Sequence, residues 1–192
     1  MEKKFIRVAL ISLAAIILVA AVAEYLQRTN QTFRGSRINP PATAYNFTLT
    51  DQAGKSTSLT DFKGKYVLLF FGYTNCPNEC PATMAILKQV RIDLGSQADK
   101  VQVIMISTDP ARDTPEQMST FVNKFDPTFV GLTGTTVELQ KVWQEYGVTV
   151  LSSGETHSLY VYLIDPDGKM RLTYSAIQSP DDIVADLHLL LK

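Results

Sequence analysis

The residues best suited to chemistry are Cys76 and Cys80, the two cysteines of the chain. Positions four apart on a helix share a face, so both sulfurs can converge on one atom if a single helix includes both residues. Two thiolates suit a cuprous or a zinc ion. A disulfide fits as well, because Cα atoms at this spacing lie about 6 Å apart, near the upper end of the disulfide range. The spacing leaves three interpretations open: a soft-metal site, a redox pair, or two buried structural cysteines.

The cysteines lie at a predicted turn from a strand to a helix. Residues 66–73 are apolar, β-branched and aromatic over the length of a strand, whereas residues 81–94 carry apolar side chains at helical spacing. Pro77 and Pro81 lack an amide hydrogen and so suit a first helical turn, where the leading N–H groups have no partner within the helix. We therefore expect the helix to begin between the two prolines. Thiols there face unpaired N–H donors and the positive end of the helix dipole, which lower a thiol pKa and favour a functional pair.

The composition limits the partners of the chain. Its 192 residues include 18 Lys or Arg and 19 Asp or Glu, a formal net charge of −1, with no long basic or acidic run. Without its N-terminal segment, this length corresponds to about one ordinary domain. Neither nucleic acid nor an anionic surface is therefore an expected partner of that domain.

Residues 1–26 are expected to form a membrane anchor. Three basic residues within the first seven positions precede residues 8–23, which are apolar except for one serine. As a helix this stretch reaches about 24 Å, and flanking apolar residues extend it toward the roughly 30 Å of a bilayer core. The alternative is a cleaved signal peptide, since residues 21–23 have the small-x-small pattern of a cleavage site. Either way we expect polar residues 27–43 to be a linker and the domain to lie on the periplasmic side of a bacterial inner membrane.

Residues 44–192 follow the pattern of a single α/β domain. The first buried strand, the cysteine helix and a second buried strand at 101–107 imply a right-handed parallel crossover. Further elements are predicted as a hairpin at 44–58, a helix from 115 to about 124, a strand at 129–132, a helix at 137–146, a hairpin at 158–174 and a helix that begins at 180. This order describes an α/β fold: a thioredoxin-like sandwich with an added N-terminal β-hairpin, preceded by an N-terminal transmembrane helix.

Asp109, Arg112 and Asp113 follow the second buried strand directly. Because α/β sheets place their sites at the carboxyl ends of parallel strands, these side chains are expected on the same edge as Cys76. They are candidates for lining the site or contacting a partner. The alternative is a local Arg–Asp pair without a functional role.

A third candidate ligand is His157, one of two histidines in the chain. It precedes the strand that opens the second hairpin, and in a thioredoxin-like layout the connection entering that hairpin packs beside the cysteine helix. Two sulfurs and one imidazole nitrogen suit copper in either oxidation state, whereas zinc ordinarily takes a fourth ligand. Taken alone, a histidine at such a position is more often a surface residue. The other histidine, His188 in the last predicted helix, is expected to be structural.

These motifs, in this order, resemble the Sco/SenC family of membrane-tethered copper chaperones of cytochrome c oxidase assembly. The resemblance runs from about Phe47 to Gly168 and rests on residues 47–51, 71–77, 80–81, 109–115, 131–135, 157–158 and 162–168. It implies that Cys76, Cys80 and His157 bind copper, either cuprous or cupric. One departure is visible: the family often has Val-Asp before the ligand histidine, where this chain has Glu155-Thr156.

The resemblance also implies a function and partners. The function is delivery of copper to the dinuclear copper site of cytochrome c oxidase by exchange of thiolate ligands. The implied partners are the copper-site subunit of the oxidase and an upstream copper donor or thiol reductant. The alternative is a thiol-disulfide oxidoreductase that reduces the cysteines of that copper site, with Cys76 and Cys80 as its catalytic residues. A thiol peroxidase fits less well, because the Thr expected ahead of its reactive cysteine is displaced by one position here.

Overall fold

The strands of the domain form one mixed sheet in the computed structural model. Their bounds are β1 Ser36–Thr43, β2 Thr48–Asp51, β3 Ser56–Ser58, β4 Tyr66–Gly72, β5 Val101–Ser107, β6 Val130–Thr133, β7 Tyr160–Ile164 and β8 Lys169–Ser175. Among the described residues, these eight strands lie in the order β1-β8-β7-β4-β5-β6-β2-β3. Strands β4, β5 and β6 are parallel, and the other neighbouring pairs are antiparallel. The almost fully buried β4 and β5 lie at the centre, as expected for parallel strands covered on both faces.

Helices connect these strands. Their bounds are α1 Glu79–Leu94, α2 Pro115–Val122, α3 Thr136–Glu145 and α4 Pro180–Leu190, with short 3₁₀ segments at Leu59–Phe62 and Gly95–Lys100. Helix α1 joins β4 to β5, and the two strands pair in parallel as predicted. The two predicted hairpins are present as β2–β3 and β7–β8.

The two faces of the sheet are covered by different helices. Alternate residues of a strand point to opposite faces. Leu69 and Phe71 of β4 belong to the hydrophobic core that includes Leu139 and Trp143 of α3. On the other face, the N-terminal end of helix α1 lies against β4, and helix α1 packs against helix α4. The described residues therefore confirm the predicted mixed α/β fold.

The expected linker, residues 27–43, is shorter than predicted, because strand β1 occupies its C-terminal part. Residues 27–43 were expected to lie outside the domain, but Ser36–Thr43 pair with β8 at the edge of the sheet. The register of this pairing shifts between Arg37 and Ala42, so the two prolines of the strand fall where regular pairing is interrupted. Proline is tolerated at such edge positions because it donates no ladder hydrogen bond. The polar, proline-containing composition that indicated a linker is therefore compatible with an edge strand.

The structure describes residues 12–13, 15–19, 22, 32–151 and 160–191. The chain divides into two units, Met1–Phe33 and Arg34–Lys192, and the described residues before position 23 are helical. At the described positions, no helix is long and apolar enough to cross a membrane. Most of the expected anchor, residues 1–26, lies outside the described residues, and the anchor stays a prediction.

Candidate metal centre

The two cysteines lie where β4 turns into α1. The turn is closed by the N–H of Cys76, which donates to the carbonyl of Tyr73 over 3.3 Å. Helix α1 begins at Glu79, between the two prolines as predicted, and Asn78 at its N-cap makes no capping hydrogen bond through its side chain. Instead, the N–H of Cys80 donates to Sγ of Cys76 at 3.3 Å. The sulfur of Cys76 therefore accepts one of the N–H groups that a helix leaves unpaired in its first turn.

The two thiols differ in how readily they ionise. Both sulfurs are free thiols; Cys76 is 8% exposed and Cys80 only 1%. Burial alone raises the pKa of Cys76, but hydrogen bonds from Cys80, Asn78 and Glu79 outweigh burial, so that this pKa falls below its ordinary value. Burial raises the pKa of Cys80 strongly, and the neighbouring Cys76 and Glu79 raise it further. Cys76 is therefore the thiol that ionises first.

The close approach of α1 to β4 depends on Gly72. A Cβ at this position would lie 2.9 Å from Sγ of Cys80 and 2.6 Å from Cε1 of Phe70. Both distances are shorter than van der Waals contact, so a larger residue would displace the sulfur or the ring. The absence of a side chain at position 72 thus allows the sulfur of Cys80 to lie against the end of the strand.

A buried carboxylate, Asp113, holds the turn that carries Cys76. Its carboxylate accepts hydrogen bonds from the backbone N–H of Thr74 at 3.1 Å, from the hydroxyl of Thr74 at 2.6 Å and from the hydroxyl of Ser107 at 2.6 Å. Its backbone carbonyl accepts from the hydroxyl of Thr133 at 2.7 Å. Burial raises the pKa of Asp113, although the hydrogen bonds from Ser107 and Thr74 act in the opposite direction. Asp113 therefore joins the ends of β4, β5 and β6 at the cysteine edge of the sheet.

Asp109 and Arg112 form a pair beside the same turn. The guanidinium of Arg112 donates through Nε to the carboxylate of Asp109, and its Cζ lies 5.9 Å from the ring centroid of Tyr73. Asp109 is buried, whereas the side chain of Arg112 is half exposed. The local Arg–Asp pair weighed from the sequence is therefore present. Of the three charged residues in this loop, only Arg112 offers substantial surface to a partner, since Asp113 is buried.

The structure brings together some of the predicted site residues. Cys76, Cys80 and Asp113 lie at one edge, and Asp109 with Arg112 adjoins them. His157 lies outside the described residues, in 152–159. At the positions that are described, no group of three His, Cys, Asp or Glu side chains is gathered as candidate metal ligands. The pair of thiols is the part of the expected donor set that the described residues supply.

Sequence reasoning missed the residues that support this pair. Thr74 and Ser107 donate to Asp113, and Nε1 of Trp143 donates to the carbonyl of Ser107 at 3.0 Å. The buried ring of Trp143 also belongs to the hydrophobic core. The available signal was weak: Thr74 immediately precedes the cysteine motif, and Ser107 ends an apolar strand with a hydroxyl.

The chain matches the family model SCO1/SenC over residues 35–192. A putative copper-binding protein of Stutzerimonas stutzeri is 34% identical over 131 residues, covering 64% of this chain and 64% of that protein. The chain thus spans just under two thirds of this relative's length.

Solved structures of Sco proteins also match this chain, over nearly the whole length of each solved structure. ScoI of Bradyrhizobium japonicum with copper bound is 37% identical, with a TM-score of 0.67, covering 78% of this chain and 99% of ScoI. BsSco, described as a member of the Sco family of cytochrome c oxidase assembly proteins with a disulfide switch, is 28% identical with a TM-score of 0.68, covering 82% of this chain and 99% of BsSco. Since the family model covers the whole described domain from β1 onward, this chain belongs to the SCO1/SenC family.

Proposed function

We propose that this chain is a membrane-tethered copper metallochaperone. It delivers copper to the dinuclear copper site of cytochrome c oxidase, and Cys76, Cys80 and His157 are its copper ligands. The observation that carries the proposal is the pair of adjacent thiols at the start of α1, in which Sγ of Cys76 accepts the N–H of Cys80. Membership of a family with copper-bound structures supports the choice of metal.

The chemistry of the pair suits a soft metal ion that must be released again. Two thiolates favour cuprous ion, and an imidazole from His157 would complete a donor set that also accepts cupric ion. The sulfurs are nearly buried, so water has little access to compete for the metal. Burial that disfavours a charged Cys80 also favours a metal ion over a bare thiolate, because the cation compensates the negative charge.

Transfer proceeds by exchange of ligands. A thiolate of the acceptor binds copper as one thiolate of the pair leaves and takes up a proton, so no electron is transferred and the number of thiolate ligands is conserved. Cys80 is the more deeply buried of the two, and Cys76 is the one nearer the surface. Cys76 is therefore the first ligand that an incoming acceptor replaces, and Cys80 with His157 holds the metal until the second exchange.

The remaining parts of the proposal concern location. Residues 1–26 anchor the chain in a bacterial inner membrane, residues 27–33 form the tether, and the domain from Arg34 onward lies on the periplasmic side. The partners are the copper-site subunit of the oxidase and an upstream copper donor or thiol reductant. The apolar run after three basic residues supports the anchor.

The test is metal binding by the reduced chain. We expect one copper ion per chain with sulfur and nitrogen donors in X-ray absorption spectra. Cys76→Ser and Cys80→Ser should each abolish stable binding. His157→Ala should remove the nitrogen donor and weaken binding by more than the roughly tenfold loss typical for a residue that only supports a ligand. His188→Ala is the matched control, because His188 is the only other histidine and is exposed on α4. If His157→Ala retains both copper and oxidase assembly, the metallochaperone proposal is wrong.

A second candidate function is thiol-disulfide exchange, which the unequal pKa values of the two thiols favour. The thiolate of Cys76 attacks a disulfide at the oxidase copper site, and a mixed disulfide forms as one target sulfur leaves as a thiolate. Cys80 then loses its proton and attacks Sγ of Cys76, which releases the second target sulfur. Two electrons pass to the target, and the chain is left as a Cys76–Cys80 disulfide for the upstream reductant to reduce. This function predicts that His157→Ala is harmless, which distinguishes it from metal delivery.

A further inference from the structure

We propose that the cysteine edge of the sheet faces the membrane, with Tyr160 and Ile177 resting against the lipid surface. This inference rests on the proposed membrane tether and adds an orientation to it. The acceptor of copper is then a membrane protein whose acceptor site lies close to the bilayer surface.

The chain enters the domain at a fixed point. The backbone N–H groups of Arg34 and Gly35 donate to the carboxylate of Asp186 at 3.0 and 2.9 Å. The same carboxylate accepts the hydroxyl of Tyr174 at 3.1 Å, and the guanidinium of Arg34 pairs with Asp182 at 2.6 Å. Asp186 is fully buried on α4. The tether therefore ends at position 34, where the first domain residues are held by several hydrogen bonds.

The chain enters the sheet from the side on which the cysteines lie. The first residue of β1, Ser36, pairs with Thr173, which pairs with Tyr162, which pairs with Leu69 of β4. Strands β1 and β4 run in opposite directions, because each of the three intervening pairings is antiparallel. Ser36 is therefore level with Leu69, the middle residue of β4, at a lateral distance of about 15 Å for three strand spacings. Because β1 runs opposite to β4, the chain enters β1 from the side of Gly72, where β4 leads to the cysteines.

Because the tether is short, the position of the entry point affects which edge of the sheet lies nearer to the membrane. Residues 27–33 span at most about 25 Å when fully extended. The far end of β4, at Tyr66, lies three residues or roughly 10 Å from the level of Ser36, on the side away from the tether. Because the chain enters from the cysteine side, the tether brings the cysteine edge nearer to the membrane than the far end of the sheet.

Exposed apolar side chains lie between the entry point and the cysteines. Tyr160 begins β7 and is paired with Ser175, the last residue of β8, and Ile177 follows two positions later. Strands β7 and β8 separate β1 from β4 in the sheet. Tyr160 is half exposed and Ile177 is 71% exposed. Tyrosine is favoured at membrane–water interfaces, where its ring lies in an apolar region and its hydroxyl in a polar one, and an isoleucine beside it gains by leaving water.

Quenching by brominated lipids tests this orientation on the full chain in phosphatidylcholine vesicles. Ile177→Trp places a fluorophore at the cysteine edge. Ile92→Trp is the matched control, since Ile92 is similarly exposed at 58% but lies near the end of α1, at the opposite end of the sheet. The native Trp143 is buried and gives the same background in both. We expect the added signal to be quenched at least about threefold more for Ile177→Trp than for Ile92→Trp, and Tyr160→Ser to reduce the difference.

Each other outcome overturns a defined part of the inference. Equal quenching at both positions, stronger quenching at position 92, or none at either would show that the lipid surface does not contact this edge. In the last case a protein surface would be its occupant. Flotation of the vesicles separates this result from failure of the tether: a chain that does not float with the vesicles lacks the anchor, and the proposed membrane tether and this orientation are then both wrong.

Discussion

Two buried aspartates perform similar tasks at different places in this domain. Asp113 gathers a backbone N–H and two hydroxyls at the turn that carries Cys76, and Asp186 gathers two backbone N–H groups and a hydroxyl where the chain enters the domain. Both are essentially inaccessible to solvent. The difference is in what they hold. Asp186 fixes the start of β1 against α4, whereas Asp113 fixes the segment from which a reactive thiol projects. A carboxylate of the same kind can thus serve stability in one place and a site in the other.

The largest effect on stability is expected from Asp186→Ala. It leaves the N–H groups of Arg34 and Gly35 and the hydroxyl of Tyr174 without their shared acceptor. Buried groups left unsatisfied cost about 1–3 kcal/mol each, so we expect a loss of roughly 3–5 kcal/mol in the free energy of unfolding, measured with urea. Copper bound per folded chain should be unchanged. A change in copper stoichiometry at a temperature where the variant is still folded would contradict the distinction between the two aspartates.

Asp113→Asn should lower the free energy of unfolding less than Asp186→Ala does, but it should affect copper binding more. The amide group cannot accept all the hydrogen bonds that Thr74 and Ser107 donate, which should lower the free energy of unfolding by about 2 kcal/mol. With the turn less firmly held, we expect copper affinity to fall by about tenfold, as is typical when a residue that positions a metal ligand is replaced. Asp186→Asn is the matched control, with the same chemical change at the other buried carboxylate. Equal losses of copper affinity in both variants would mean that Asp113 has no special relation to the site.

The pH dependence of thiol alkylation sharpens the same comparison at the level of Cys76. Since hydrogen bonds from the first turn of α1 lower its pKa, its reaction with iodoacetamide in the reduced chain should reach half its maximum below the value of about 8.5 for an ordinary cysteine. The rate should rise with pH through that point, because the thiolate is the nucleophile. Cys80, whose pKa is raised, should stay unmodified over this range. Peptide mapping distinguishes the two, and alkylation of Cys80 first would contradict the assignment.

These contacts also show which parts of the structure the sequence could predict. The turn from β4 to α1 was predicted because its signals are local: an apolar strand, two prolines and a helical repeat lie within the consecutive residues 66–94. The hydrogen bond that Thr74 donates to Asp113 joins residues 39 positions apart, and those that Arg34 and Gly35 donate to Asp186 join residues about 150 positions apart. The hydrophobic periodicity of a sequence does not indicate such long-range contacts. Strand β1 was missed for a related reason, since it is polar, lies at an edge and is recognised only through its pairing with β8.

The smallest effect is expected from Arg112→Ala, next to Asp113 but on the surface. Its guanidinium pairs with Asp109 and lies over Tyr73, and half of its side chain is exposed. Exposed ion pairs contribute about 0–1 kcal/mol, so the free energy of unfolding should change by no more than that. We expect unchanged copper affinity and a severalfold slower transfer to an acceptor thiol protein, because an exposed guanidinium beside the site can pair with a carboxylate of the partner and speed association. Raising the salt concentration should slow transfer by the wild type more than by the variant, since exposed charges are screened. Arg112→Lys, which keeps the charge, should restore part of the transfer rate. If the wild type, Arg112→Ala and Arg112→Lys all transfer copper equally fast at low salt, Arg112 has no role in contacting the partner.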